Sequence, residues 1–303
     1  MRQIIKVLKE VIVNSLNIKK ITDYQVRKQL RIMYVERNAL RSTISGVYKG
    51  KERTDEIIVS LTTYSRRVFQ VHLVIESLLE QNIKANRILL WLDKTEFTSI
   101  DDLPLNLLRL QRRGLEIGFC DNLCSYKKFI PSLRKYPNAL IITADDDILY
   151  PEDFIERLYK AYKSNPKKIY FYRGHRMKVR NGKLMPYNKW DLEVELKNPS
   201  LLNFPTGGGG VLYTSDLIDA EVLNEDAFMA LAPTADDVWF KAMSLKKGVE
   251  CEQIKLECPF RDKFIFLDAM DDMALARTNL IQNKNDEQIQ AVFRRYDLFQ
   301  LLG

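Results

Sequence analysis

Ala139-Leu140-Ile141-Ile142-Thr143-Ala144-Asp145-Asp146-Asp147-Ile148-Leu149-Tyr150-Pro151 is the stretch on which the fold turns. An apolar and β-branched run leads straight into three carboxylates. Such a run is the signature of a buried strand in a parallel sheet. In an open α/β sheet, ligands bind just past the carboxyl ends of the strands. Three adjacent carboxylates repel one another unless a cation or hydrogen-bond donors sit among them. A hard divalent ion, Mn²⁺ or Mg²⁺, meets that need, because it takes one or two carboxylates and completes its shell with substrate phosphates. A charged turn or a helix N-cap cluster is the competing reading. The buried strand in front of the triplet favours a metal–diphosphate site, with Asp147 and Asp145 as ligands.

Working outward, four more pieces fall in order around the triplet. They are Ile57-Ile-Val-Ser-Leu-Thr-Thr63, Arg87-Ile-Leu-Leu-Trp-Leu-Asp93, Pro205-Thr-Gly-Gly-Gly-Gly210 and Thr234-Ala-Asp-Asp-Val-Trp239. With them, Asp145-Asp146-Asp147 resembles the DxD motif of GT-A-fold nucleotide-sugar glycosyltransferases. The resemblance is to family-2-like bacterial enzymes that build surface polysaccharide or lipooligosaccharide, and it covers roughly residues 56–256. It implies an α/β fold with a mixed, mostly parallel sheet flanked by helices. It also implies a UDP-sugar donor, and a glycan or lipid-linked acceptor.

The first strand, residues 56–63, ends at Thr62, Thr63 and Tyr64, where a nucleotide base would lie. Arg66 and Arg67 follow, and either could grip a phosphate with a bidentate fork. Apolar residues at Val68, Val71, Ile75, Leu78 and Leu79 recur at helical spacing. Residues 87–92 form a second strand with Asp93 at its end. The resemblance makes Asp93 a contact for base or ribose; a strand-end turn is the alternative. Residues 105–113 read as a helix stopped by Gly114, and 115–120 as a third strand. Lys127 and Lys128 open the helix before the acidic strand, where one of them would contact nucleotide or diphosphate. Asp145 or Asp146 would hold the ribose. After the triplet, Pro151-Glu-Asp-Phe is expected to start a helix. Asn181-Gly182 predicts a type I′ hairpin.

Trp190 and Asp191 lie in a loop that would close over donor or acceptor. Four consecutive glycines, Gly207, Gly208, Gly209 and Gly210, are conformationally costly, and they predict close approach of backbone to a ligand. No P-loop or dinucleotide fingerprint is present. The resemblance places such a segment beside the donor sugar and acceptor. Thr234 with Asp237 three residues on has the form of a capping box. The resemblance matches Asp236-Asp237 to the family's acidic pair and makes Asp237 the general base, with Asp236 the other candidate.

The 303 residues carry a net charge of +7. Residues 1–50 hold 11 of the 47 Lys and Arg but 3 of the 40 Asp and Glu, so they contribute +8 and the rest −1. This asymmetry argues against a globally basic nucleic-acid binder and for a basic appendage. Residues 1–15 and 24–41 have amphipathic helical patterns. They would pack on the domain or a partner subunit, or lie on an anionic membrane surface. No uncharged apolar run approaches the ~20 residues that span a bilayer, nor is there a signal-peptide pattern. The expected location is therefore cytoplasmic, at the inner face of the membrane if the appendage is an anchor. Cys120, Cys124, Cys251 and Cys258 fit neither a zinc pair nor a disulfide framework. The expected division is a basic helical extension (1–50), a catalytic domain (51–256) and a helical C-terminal extension (257–303). That last segment would cover the acceptor side or mediate homo-oligomers.

These readings combine into a metal-dependent inverting glycosyltransferase. Two rivals stand beside it: a nucleotidyl- or phosphoryl-transfer enzyme on a similar fold, and a non-catalytic membrane-associated assembly protein. The first would bring a basic Gly-rich loop near its N-terminus, yet residues 60–67 contain no glycine. The complete acidic set argues against the second.

Overall fold

The computed structural model describes residues 23–267 and 284–302. In chain order the strands are β1 (Ile57–Thr62), β2 (Arg87–Asp93), β3 (Leu115–Cys120), β4 (Leu140–Thr143), β5 (Ile148–Leu149), β6 (Ile169–Phe171), β7 (Gly174–Arg176), β8 (Val179–Arg180), β9 (Lys183–Leu184), β10 (Asn203–Pro205), β11 (Val211–Tyr213), β12 (Cys251–Gln253) and β13 (Ile265–Phe266). The helices are α1 (residues 23–41), α2 (Val71–Leu79), α3 (Leu105–Arg109), α4 (Ile130–Lys135), α5 (Phe154–Ser164), α6 (Glu225–Leu231), α7 (Asp236–Lys246), α8 (Phe260–Lys263) and α9 (Lys284–Arg295).

Seven strands form one sheet in the order β12-β6-β11-β4-β1-β2-β3. Neighbouring strands are parallel except at β11, which runs antiparallel to β4 and β6. This is the expected mixed, mostly parallel α/β sheet flanked by helices. The runs Ile57–Leu61 and Leu140–Thr143 are buried throughout, as strands covered on both faces must be. Alternate residues enter opposite cores. Ile57, Val59 and Leu61 pack with α2 and α5, whereas Ile58, Leu89 and Trp91 pack with α4, α7 and α9.

The order β3-β2-β1 on one side and β4 on the other makes β1 and β4 the point where the winding reverses. A crevice past their carboxyl ends is where such a sheet binds ligands.

Several element boundaries differ from the sequence reading. The helix expected from Val68 begins at Val71, after turns over 64–70. Pro151 lies outside a helix: α5 starts at Phe154 behind Asp153, and the Pro151 carbonyl accepts from Gln81 Nε2 at 2.7 Å. The hairpin matches the expectation, with Asn181 and Gly182 both left-handed (φ 50° and 69°). Gly114, at φ 116°, stops the turn ending at Arg113.

The described part of the N-terminal segment, residues 23–50, packs on the domain. Val35, Ala39 and Val47 are buried, and the Gly46 N–H donates to the Arg113 carbonyl at 2.8 Å. At the other end, Ile289, Val292 and Phe293 of α9 join the core with α7. The helix expected over residues 1–15 lies outside the described residues. Among the described residues, no helix is long and apolar enough to cross a membrane.

Candidate active site

The acidic triplet is a turn pinned at both ends. Ala144 N–H donates to the Ser60 carbonyl at 3.0 Å, the last link between β4 and β1. Beyond the turn, β5 pairs with β13, and the Leu267 N–H donates to the Asp147 carbonyl at 2.7 Å. The buried Tyr150 hydroxyl reaches back and accepts from the Asp145 N–H at 2.8 Å. The three carboxylates are thus held where β4 ends, at the reversal of the winding.

Each carboxylate has a distinct set of partners. Asp146 Oδ2 accepts from the Thr63 hydroxyl and its Oδ1 from Arg67 Nη1, both at 2.6 Å. The same guanidinium nitrogen lies 3.5 Å from Asp147 Oδ2. Burial pushes the Asp146 carboxyl upward in pKa, against the pull of Arg67 and Thr63. Asp145 Oδ1 accepts from Lys128 Nζ at 3.0 Å.

Lys128 then leads to the second carboxylate pair. Its Nζ lies 3.1 Å from Asp236 Oδ2, at the first turn of α7. Burial would lower the Lys128 pKa, but Asp145, Asp236 and Asp237 together hold it well above the usual ammonium value. Asp237 Oδ1 accepts from the Gly207 N–H at 3.0 Å. Burial first, and the charge of Asp236 second, raise the Asp237 carboxyl to about 7, while Lys128 pulls it down. The positive end of the α7 dipole faces both acids.

The capping box expected at Thr234 is not formed. Ala235 is the N-cap and has no capping side chain; Thr234 instead donates its N–H to Gln288 Oε1 of α9 at 3.0 Å. Both aspartates are thereby left to the site rather than to the helix end.

The glycine run is required by crowding. A Cβ on Gly207 would sit 2.5 Å from Lys128 Nζ and 3.2 Å from Asp237 Oδ1. One on Gly208 would lie 3.3 Å from both Asp145 Oδ2 and Arg173 Nη1. Gly210 adopts φ 89° and has the Phe154 ring 2.4 Å from its Cβ position. The loop therefore covers Lys128 and joins the two acidic groups. This close approach is to protein side chains, a requirement separate from the expected approach to sugar.

Other expected residues are placed differently. Arg67 is at the triplet, beside Asp146 and Asp147, and the neighbouring Arg66 is exposed. Thr62 donates its hydroxyl to the Trp91 carbonyl at 2.8 Å, and Tyr64 lies under the Arg67 guanidinium at 5.6 Å. Asp93 is fully buried: its Oδ1 accepts from Thr95 N and Oγ1 at 2.8 and 2.7 Å, and Lys127 Nζ is 3.5 Å from its Oδ2. It therefore forms the strand-end turn, and Lys127 neutralises it. Of the two lysines, one of which was expected to contact nucleotide or diphosphate, Lys127 is buried against Asp93 and Lys128 against Asp145 and Asp236. Trp190 is a core residue packed between Tyr187 and Phe204, with its indole N–H donating to the Met185 carbonyl at 2.8 Å. That packing gives no support to an acceptor contact. Beside it, and not singled out above, His175 is buried, stacks on Phe204 and accepts from the Glu193 N–H at 2.9 Å. Burial pulls its pKa down to about 4.

Arg173 was not singled out from the sequence. It follows β6, brackets Gly208 opposite Asp145, and pairs with Glu193. Its only sequence signal is its position at a strand end.

Five carboxylates (Asp145, Asp146, Asp147, Asp236 and Asp237) cluster past the end of β4 with the cations of Arg67 and Lys128. That surplus of hard oxygen donors fits a divalent ion held by two carboxylates and completed by phosphate and water. It does not fit a protein-only cage: among the described residues, no three His, Cys, Asp or Glu side chains are arranged to hold an ion by themselves.

No protein-family model matches the chain, and no curated protein sequence matches it. Solved structures that align over most of its length include the following two. The inositol-1-phosphate CTP transferase from T. maritima aligns at a TM-score of 0.41 and 11% identity, over 77% of this chain and 98% of that one. S. aureus TarS 1–349 aligns at a TM-score of 0.45 and 13% identity, over 80% of this chain and 71% of that one. At these scores the likeness is one of general chain layout and assigns no activity.

Proposed function

We propose that the chain is a metal-dependent inverting glycosyltransferase. It would move a sugar from a nucleotide-sugar, UDP-linked by the resemblance, to a hydroxyl of a glycan or lipid-linked acceptor in bacterial surface polysaccharide synthesis. One observation carries the reading: two acidic groups from distant parts of the chain meet through Lys128 and Gly207 at the reversal point of the sheet. A donor diphosphate and an acceptor hydroxyl need two such groups, doing different chemistry in one cleft.

Asp147 and Asp145 would hold Mn²⁺ or Mg²⁺, which neutralises charge on the departing nucleoside diphosphate when bound. Asp237 takes the proton from the acceptor oxygen as that oxygen attacks the sugar carbon from the face opposite the diphosphate. A carboxyl raised to about 7 suits that role, because it is a stronger base than an ordinary aspartate yet is still half ionised at neutrality. Asp236 and Lys128 set its charge environment. Arg67 and Thr63 fix Asp146, so the triplet keeps one orientation as ligands come and go.

The deciding experiment is calorimetric titration of UDP and GDP with and without Mn²⁺, on the parent and on Asp147→Ala. Metal-dependent UDP binding that is lost in the variant supports the reading. If neither nucleotide binds, or if Asp147→Ala binds Mn²⁺–UDP as the parent does, the donor site is not here.

A further inference from the structure

Helix α1 has two unlike faces. Val35, Ala39 and Lys28 are buried against the domain, and Arg31 lies 3.6 Å from Glu80 and 3.5 Å from Glu152. On the opposite side Val26 is 52% exposed, Leu30 60%, Met33 62% and Leu40 63%. At 3.6 residues per turn these four share one side, with Arg37 between them and Tyr34, Arg41 and Arg27 along its border. Tyr34 is also exposed, and Ile44, just past the helix, is 72% exposed. Single exposed apolar residues need no explanation, but a contiguous stripe along one helix does.

The charge around the stripe selects its occupant. Among the exposed residues of α1, Arg27 is paired with Asp262 and Arg37 and Arg41 stand beside Asp23 and Glu36, so the basic excess belongs to residues 1–50 as a whole. Residues 1–50 carry +8 while the rest of the chain carries −1. A purely hydrophobic partner would not require that asymmetry; an anionic lipid surface does. The apolar stripe is the part that enters the headgroup boundary, about 5–10 Å deep, with arginines at its edge reaching lipid phosphates.

We infer that the outward face of α1, centred on Leu30 and Met33, lies on an anionic bilayer and seats the protein on it. The inference stands apart from the sugar-transfer reading. Arg27 Nη2 is 3.4 Å from Asp262 of α8, and Phe260 of the same helix abuts the Gly209 side of the glycine loop. The bilayer face therefore adjoins the rim of the candidate site.

The test is co-sedimentation of the full chain with phosphatidylcholine vesicles, with and without phosphatidylglycerol. The comparison variants are Leu30→Glu with Met33→Glu, and Arg37→Gln with Arg41→Gln. Both pairs sit on the exposed face, and unchanged melting curves confirm that they fold. The parent should pellet with the phosphatidylglycerol vesicles and not with phosphatidylcholine alone. The Glu pair should lower partitioning by about tenfold or more, since it removes apolar contact and adds repulsion. The Gln pair should lower it less and flatten its salt dependence. The inference is overturned if the parent stays in solution with both vesicles, or if the Glu pair binds as the parent does. It is also overturned if the Glu pair alters only the oligomeric state on size-exclusion chromatography, in which case the stripe contacts a second copy.

Discussion

At the scale of single residues, the candidate chemistry rests on how Asp237 and Lys128 are charged. Replacing Asp237 by Asn keeps the acceptor oxygen for the Gly207 N–H but removes the base. Transfer should fall by about 10²–10⁴-fold, with Mn²⁺–UDP affinity unchanged in calorimetry. A stability effect accompanies it. The folded-state pKa of Asp237 is raised, so the folded protein binds this proton more tightly than the unfolded chain. That stability is present below the unfolded aspartate pKa and is lost as pH rises through about 7. Asp237→Asn removes the cost of the buried charge, so its melting temperature at pH 8 should equal or exceed that of the parent. The same pKa sets the pH profile: kcat/KM should drop tenfold per pH unit below about 7 and level off above it. Lys128 pulls the Asp237 pKa down. Lys128→Met should therefore move the acid limb to higher pH as well as slow turnover, and Lys128→Arg should restore part of the shift. A lysine serving only to pack would leave the limb in place, and a pH series on the two variants separates the cases.

At the scale of elements, the glycine loop is the joint of the site, and its members are not equivalent. Gly210→Ala places a side chain at φ 89° and into the Phe154 ring, so it should cost about 1–3 kcal/mol of stability in denaturant melts. Gly207→Ala meets only the flexible end of Lys128 and the Asp237 carboxylate. It should therefore damage turnover more than stability. The run of four glycines in the sequence announced a close approach, but not that the approach is to a lysine. Strands β1, β2 and β4 were legible because continuous apolar runs have few other uses. The switch point followed from the triplet at the end of one of them. The antiparallel β11 was not legible, since strand direction leaves no trace in three buried residues. The helix starts differ from those read at Pro151 and Thr234 because tertiary partners took the groups that a local cap would have used: Gln81 Oε1 accepts the Ile155 N–H, and Gln288 engages the Thr234 N–H and hydroxyl. Lys127 and Lys128 illustrate the same limit within the site. Their charge was visible in the sequence, whereas their burial against Asp93, Asp145 and Asp236 depends on residues far along the chain.

At the scale of the whole molecule, α1 and α9 pack on opposite cores of the sheet. α1 adds Val35 and Ala39 to the core beside α2, and α9 adds Ile289, Val292 and Phe293 beside α7. Burying such side chains is worth about 1.5–3 kcal/mol each, so the buried apolar residues Ile289, Val292, Phe293, Leu298 and Leu302 together rival the entire ~5–15 kcal/mol stability of a domain. Truncation there would unfold the protein and reveal nothing about function. A finer probe is Gln288, whose Oε1 accepts from Thr234 N at 3.0 Å, and whose Nε2 donates to the Thr234 hydroxyl at 3.1 Å. Those bonds fix the turn two residues ahead of Asp236, and so fix the direction in which α7 presents both acids. Gln288→Ala should cost about 1–2 kcal/mol, as loss of hydrogen bonds to a largely buried group does. It should also lower kcat several-fold, because a small misplacement of a base is costly to rate. KM for the donor should hold, since the triplet at the end of β4 is untouched. Gln288→Glu keeps an acceptor for the Thr234 N–H and should recover most of the stability. If both variants lose stability but turn over normally, α9 is a structural brace alone. A fall in kcat without a rise in donor KM would make the C-terminal helix part of what aims the base.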